Sequence, residues 1–129
     1  MKGLFGLKND IVIKYKDKTI VGLTEKVVVY GPHGKKTIMA RIDTGATKSS
    51  IDVALAAELN LGPIVKTKVI QSASGATVRP IIKVKLELAN KEFEKMFTLA
   101  DRKMLKYRML IGQNILLNSG FLIDPSKKC

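Results

Sequence analysis

Ala40-Arg41-Ile42-Asp43-Thr44-Gly45-Ala46 is the stretch whose reading decides the fold. It follows the apolar run Thr37-Ile38-Met39-Ala40 and precedes the small polar segment Thr47-Lys48-Ser49-Ser50. Upstream, Glu25 to Tyr30 holds the β-branched run Val27-Val28-Val29, and Gly31-Pro32-His33-Gly34 reads as a turn. The pattern predicts a hairpin whose second strand, Thr37 to Ile42, ends on Asp43. A strand end holds a carboxylate firmly, and Gly45 is expected to let the turn adopt conformations that larger residues resist. Asp-Thr-Gly alone is more often an ordinary turn, so the remaining chain has to decide.

Downstream, the residues from Ser50 to Leu59 form an Ala-rich helical pattern, capped by Asp52 or a serine and stopped by Leu61-Gly62-Pro63. Val65 to Gln71 reads as a strand, and the small residues Ser72-Ala73-Ser74-Gly75-Ala76-Thr77 as a hairpin tip. Val78 to Leu88 alternates, with Ile82, Val84, Leu86 and Leu88 on one face and Lys83, Lys85 and Glu87 on the other. Pro80 near its start suggests an edge or an irregular beginning. A turn at Ala89-Asn90-Lys91 leads to a strand from Glu92 to Leu99, and 101–106 is a charged connection. Arg108 to Gly112 is a buried strand candidate, 113–119 a short helix ended by Gly120, and Phe121 to Asp124 a last strand. Ahead of the first hairpin, 10–22 reads as one or two strands turning at Lys16-Asp17-Lys18. The sum is a mostly β chain with one or two short helices, hence a small barrel or sandwich.

The chain has 129 residues, which suits one domain over 1–129, with 1–24 as an N-terminal extension and 125–129 as a tail. Hydrophobic content of 46% supports a folded core. No apolar run is long enough to span a bilayer. The opening Met1-Lys2-Gly3-Leu4-Phe5-Gly6-Leu7 is too short and Gly-broken for a signal peptide, so a cytoplasmic location is the default expectation. Cys129 is the only cysteine and His33 the only histidine, which leaves no zinc site of the usual kind and no intrachain disulfide. No phosphate-binding loop appears. Neither metal nor cofactor is expected. The net charge of +12 attracts anions: nucleic acid, ribosomes, anionic lipid or an acidic polypeptide. Few aromatics interleave with the basic residues, so no specific nucleic-acid module stands out.

Carboxylates remain as the source of chemistry. Of the aspartates only Asp43 falls at a strand end between apolar residues and a Gly turn. One carboxylate cannot supply both acid and base. Two copies meeting across a two-fold axis would share one proton, one Asp activating water while the other polarises the carbonyl. Paired aspartates of this sort are described for the aspartic proteases.

Ala40 to Ala46 resembles the active-site motif of retropepsin-type aspartic proteases, small β proteins that dimerise to join two such loops. Met109-Leu110-Ile111-Gly112-Gln113-Asn114-Ile115-Leu116 resembles their second motif, an apolar strand ending in Gly before a helix. The Gly75 hairpin lies between the two, where such proteins carry a flap. A narrower resemblance runs over nearly the whole chain: Ile20 to Glu25, Ser74-Gly75 with Arg79-Pro80-Ile81-Ile82, Asp101-Arg102, 107–112, and Phe121 to Pro125. These are similar to a retropepsin-like family also labelled ATP-dependent zinc protease, whose RimB-like members are associated with RimK-type glutamate ligases.

The resemblance implies a retropepsin-like acid-protease half-barrel with one or two short helices, working as a homodimer without a cofactor. Asp43 would be the catalytic carboxylate. Thr44, Gly45 and Ala46 would form the active-site loop, Thr44 bonding across the dimer and Gly45 offering a carbonyl to substrate. Ser72, Ala73, Ser74, Gly75, Ala76 and Thr77 would form the flap. Arg79 and Arg102 are candidates for holding a substrate carboxylate, or for structural ion pairs, while Arg108 suits a structural role. The link to glutamate ligases implies acidic, glutamate-rich substrates, or association with a RimK-type ligase or a ribosomal protein. Viral members pair an acidic residue after the Asp-Thr-Gly-Ala motif with an Arg after the late Gly. Thr47 and Gln113 stand at those positions here. The rival readings are a non-catalytic binding module of the same fold and a basic RNA binder.

Overall fold

A computed structural model describes residues 12–128. The opening Met1 to Leu7, the first residues of the 10–22 strand reading and Cys129 lie outside the described residues. The strands are β1 (Ile13–Tyr15), β2 (Lys18–Val21), β3 (Thr24–Gly31), β4 (Gly34–Ile42), β5 (Ser49–Asp52), β6 (Ile64–Ser72), β7 (Gly75–Leu88), β8 (Lys91–Ala100), β9 (Met109–Ile111) and β10 (Phe121–Ile123). Two short helices, α1 (Val53–Glu58) and α2 (Gln113–Leu116), interrupt them.

The larger sheet runs β3-β4-β9-β5-β8-β7-β6, and β3 also pairs with β7. That last pairing closes a six-strand barrel and leaves β6 as an appended strand. The register of β3 with β7 sets Val27 opposite Leu88 and Val29 opposite Leu86. All four side chains are buried, as the alternation in 82–88 requires. Ile42, Ile51, Phe97, Met109 and Ile111 complete the interior. The chain is thus mostly β, a closed barrel with two short helices, as the mostly β reading with one or two short helices expects.

Pro80 has a simple place in this scheme. It pairs with Thr67 of β6, while pairing between β7 and β8 begins only at Ile81. A residue without an N–H sits where one flank has no ladder to lose. The segment read as an N-terminal extension contributes β1 and β2 to a second sheet, in which β2 lies between β1 and β10. The tail is anchored as well. Lys127 Nζ lies 2.6 Å from Glu25 Oε2, which also accepts from the Gly22 N–H at 2.8 Å.

One local expectation holds in part and another fails. Of the caps open to the helical pattern from Ser50 to Leu59, the structure takes Asp52, and Ser49–Asp52 form β5, antiparallel to β9 and parallel to β8. Two ladders outweigh the local helical pattern, and Ile51 is carried into the core. The helix starts only at Val53, with Asp52 as its N-cap. The second helix was read to 119, yet it ends at Leu116. Leu117 is already extended, and Asn118 and Gly120 take positive φ as the chain turns toward β10.

Asp52 does more than cap. It is fully buried, and Oδ1 accepts from the Arg102 N–H at 2.8 Å. Its Oδ2 accepts from the Leu55 N–H at 3.2 Å and from Arg108 Nη2 at 3.0 Å. Burial on its own would raise this carboxyl's pKa, but the bonds from Arg102, Arg108 and Leu55 together outweigh it and hold the group below the usual aspartate range. A carboxyl with a depressed folded pKa contributes stability that is present above its unfolded pKa and lost as pH falls through the folded value. Asp52→Asn should therefore lower stability at neutral pH and flatten its acid dependence. Asp52→Ala should destabilise by about 2–3 kcal/mol, near the lower end for a broken buried pair because Arg108 is partly exposed. Urea unfolding across the acid range measures both.

Candidate active site

Strand β4 runs parallel to β9, with Arg41 beside Leu110 and Ile42 beside Ile111. Two backbone bonds fix the end of β4: the Ile42 N–H donates to Leu23 O and the Asp43 N–H to Ile111 O, each at 2.9 Å. Ile42 is buried, so the next side chain must leave the core, and Asp43 emerges half-buried. Its Oδ1 accepts from the Gly45 N–H at 2.9 Å, and the Ala46 N–H reaches the Asp43 carbonyl at 3.3 Å. This Asx-type turn aims the carboxylate along the loop.

Gly45 corrects its own expectation. It is not among the positive-φ glycines. A Cβ there would instead stand 3.4 Å from Asp43 Oδ1, the atom that its N–H binds. Thr44 and Gly45 are exposed at the loop tip, and Ala46 is half-buried behind them.

The second motif clamps this loop from behind. The Gln113 N–H donates to Ala46 O at 2.7 Å, and Gln113 Nε2 donates to Thr44 O at 2.7 Å. Gln113 thus braces the Asp43 loop of its own chain. Ser49 Oγ, wholly buried, accepts from the Gly112 N–H at 2.9 Å and donates to Asn114 Oδ1 at 2.6 Å. Asn114 Nδ2 in turn donates to Met96 O at 2.9 Å. Gly112 is where the two loops cross: a Cβ would lie 2.3 Å from Lys48 O and 2.8 Å from Ala46 O. Sequence reasoning singled out Gly112 but missed Ser49 and Asn114, since the hydroxyl and the amide that bond each other are 65 positions apart.

The remaining candidates divide. Ser72 pairs with Gly75 to close the β6–β7 hairpin, and Ser72 to Thr77 are all exposed at its tip. Gly75 takes φ +121°, a backbone state natural to glycine, with open space around it. Ser72 Oγ reaches Gly75 O at 3.0 Å and tightens the turn. Arg79 lies below this tip, half-buried, opposite Lys68. Arg102 is held by Nε to Tyr107 O at 3.0 Å and by a longer Nη1 contact to Ser50 Oγ at 3.4 Å. Burial and the nearby Arg41 lower its pKa, while Asp52 and Asp43 act the other way, so its guanidinium lies in the field of Asp43. Arg108 is structural, bound to Asp52 and near Glu58. His33 sits exposed in the β3–β4 turn. The zinc implied by one family label finds no donor set: among the described residues no three His, Cys, Asp or Glu side chains gather to hold a metal.

A closed small barrel, an Asp-Thr-Gly loop on one strand end and a Gly-helix motif locked beneath it define the retropepsin class of fold. The family described as "RimB-like: Retropepsin-like aspartic endopeptidase RimB" matches residues 54–129, more than half of the chain and beginning after the Asp43 loop. The chain belongs to this RimB-like family. Among solved structures it is similar to Lpg0085, a protein of unknown function (DUF785) from Legionella pneumophila subsp. pneumophila str. Philadelphia 1, at 21% identity and TM-score 0.60, over 84% of this chain and 95% of that one. It is also similar to the Simian Foamy Virus (mac) protease, at 14% identity and TM-score 0.56, over 74% and 97% of the two chains. At these identities the likeness concerns the fold. No curated protein matches the chain in sequence.

Gly112→Ala is expected to push the loops apart, since the atoms met are backbone rather than flexible side chain. The change should lower stability by at least about 2 kcal/mol, in the range of overpacked sites. Amide exchange should show the loss of protection concentrated at Ala46 and Gln113.

Proposed function

We propose that this protein is an aspartic endopeptidase working as a homodimer, with one Asp43 from each copy. The observation that carries this reading is the locked geometry of the Asp43 loop. Its carboxylate is fixed by Gly45, its backbone by Ile111, and its flanks by Gln113. Such fixation is what a general base needs and what a passive turn does not. Two carboxylates brought together would share a proton. One would take a proton from water as it attacks the scissile carbonyl, and the other would donate to the carbonyl oxygen. The proton then passes to the departing amine.

The same loop favours a second copy as its partner. Thr44 and Gly45 project at the tip, and the apolar Leu23 and Leu117 are exposed, one bonded to the end of β4 and the other closing the helix that begins with Gln113. Ser72 to Thr77 would act as the flap over bound substrate, and Arg79 and Arg102 would contact it. Acidic peptide tails suit the +12 charge as substrates. A non-catalytic binding module is less favoured, because binding alone does not call for a clamped carboxylate.

Asp43→Asn is expected to abolish cleavage, by a factor of at least about 1,000, while leaving the fold and dimer intact. Mass spectrometry of peptide-library digests, with sedimentation of both proteins, checks this. Cleavage by the variant at the wild-type rate would remove Asp43 from the chemistry. A chelator should leave activity unchanged, and loss reversed by zinc would contradict the aspartic mechanism.

A further inference from the structure

Behind the Asp43 loop the strand registers line up one row of residues across the barrel. Arg41 lies beside Leu110, Leu110 beside Ser50, Ser50 beside Thr98, Thr98 beside Ile81, and Ile81 beside Lys66. Register partners share a face, so the row has one orientation. Its chain neighbours Ile42, Ile111, Ile51, Phe97 and Ile82 belong to the core. The row therefore faces outward, on the opposite side of the sheet. Ile81 fits this placement: it is buried, yet it is not part of the main core cluster.

At the far end of the row a cavity of about 500 Å³ opens between β6, β8 and the segment after the Asp43 loop. Lys48, Lys66, Lys68 and Lys95 line it, with Ile81 and Thr98 from the row in its wall. No carboxylate lines it. Among the described residues none of the four ammonium groups has an ion-pair partner. Arg79, in register with Lys68, adds a fifth cation beside it. Like charges gathered around one concavity repel each other, and an anion entering it relieves that repulsion. At the usual strand spacing of about 4.8 Å, Thr98 stands three strand steps, roughly 15 Å, from Arg41.

We propose that this cavity is the subsite for an acidic side chain of a bound peptide, and that Lys66 and Lys68 are its specificity-determining residues. A carboxylate of the peptide meets two or more ammonium donors there, whereas a glutamine at the same place leaves them unneutralised. That the cavity serves a substrate rests on the peptidase reading; the binding itself does not.

The test uses a fluorescein-labelled octapeptide of alternating Ala and Glu, its Ala-Gln counterpart, and Asp43→Asn protein, which binds without turnover. Fluorescence anisotropy should show the Glu peptide bound on the order of tenfold tighter. In a Lys66→Gln/Lys68→Gln background the two peptides should bind within about twofold of each other. A Lys14→Gln control on the distant β1 should keep the full preference. Equal binding of the two peptides, or a preference that survives the double change, overturns the inference. Lysine-dependent binding of an oligouridylate by protein that ignores the Glu peptide also overturns it and assigns the cavity to nucleic acid. With Asp43 intact, cleavage of Glu and Gln peptides at equal kcat/KM would strike this subsite alone. Lysine-dependent Glu binding with no cleavage of any peptide would strike the peptidase reading alone.

Discussion

The crossing of two loops at Gly112 is the constraint on which the candidate site depends. Lys48 O and Ala46 O approach this residue so closely that no side chain has room. That approach lets Ser49 Oγ reach the Gly112 N–H and lets Gln113 reach both Ala46 and Thr44. Remove the crossing and Asp43 keeps its strand but loses the brace behind its turn. The parallel pairing of β4 with β9 has the same consequence on the other side, because the Asp43 N–H completes that ladder on Ile111. A carboxylate so held has little conformational freedom left.

A second network centres on Asp52. Asp52 caps α1, anchors the backbone of Arg102 and pairs with Arg108, so one buried carboxylate joins β5, the helix after it and the connection into β9. Arg102 is held by its backbone on Asp52 and by Nε on Tyr107, bonds that are structural in origin. Whether an arginine is structural or functional is not a clean division here: its backbone and Nε serve the fold, and its guanidinium reaches the field of the site. On the side of β6 and β8, Lys48, Lys66, Lys68 and Lys95 gather around one cavity.

Much of this was legible from residue order. The alternation in 82–88 places Ile82, Val84, Leu86 and Leu88 inward, as the barrel confirms. The hairpin tip at Ser72 to Thr77 was readable because small residues and Gly75 tolerate a tight turn. The Ala-rich pattern offers Asp52 as the helix cap, which is where it falls, but local pattern cannot register the two strands that flank Ile51 in space and make Ser49–Asp52 a strand. Gly45 was assigned a conformational role that in fact belongs to contact geometry.

The sequence by itself determined the strand periodicity, the carboxylate at a strand end, and the order of the Asp43 loop, hairpin tip and Gly112 motif. These are properties of neighbouring residues, expressed through spacing and turn chemistry. Only the tertiary structure decided that Ser49 and Asn114 lock the loop, that Asp52 holds two arginines, and that Arg41, Ser50, Thr98 and Lys66 share one outward row. Hydrogen-bond ladders bring those residues together from positions far apart in the chain. Register, which no local pattern encodes, sets the face on which each side chain stands.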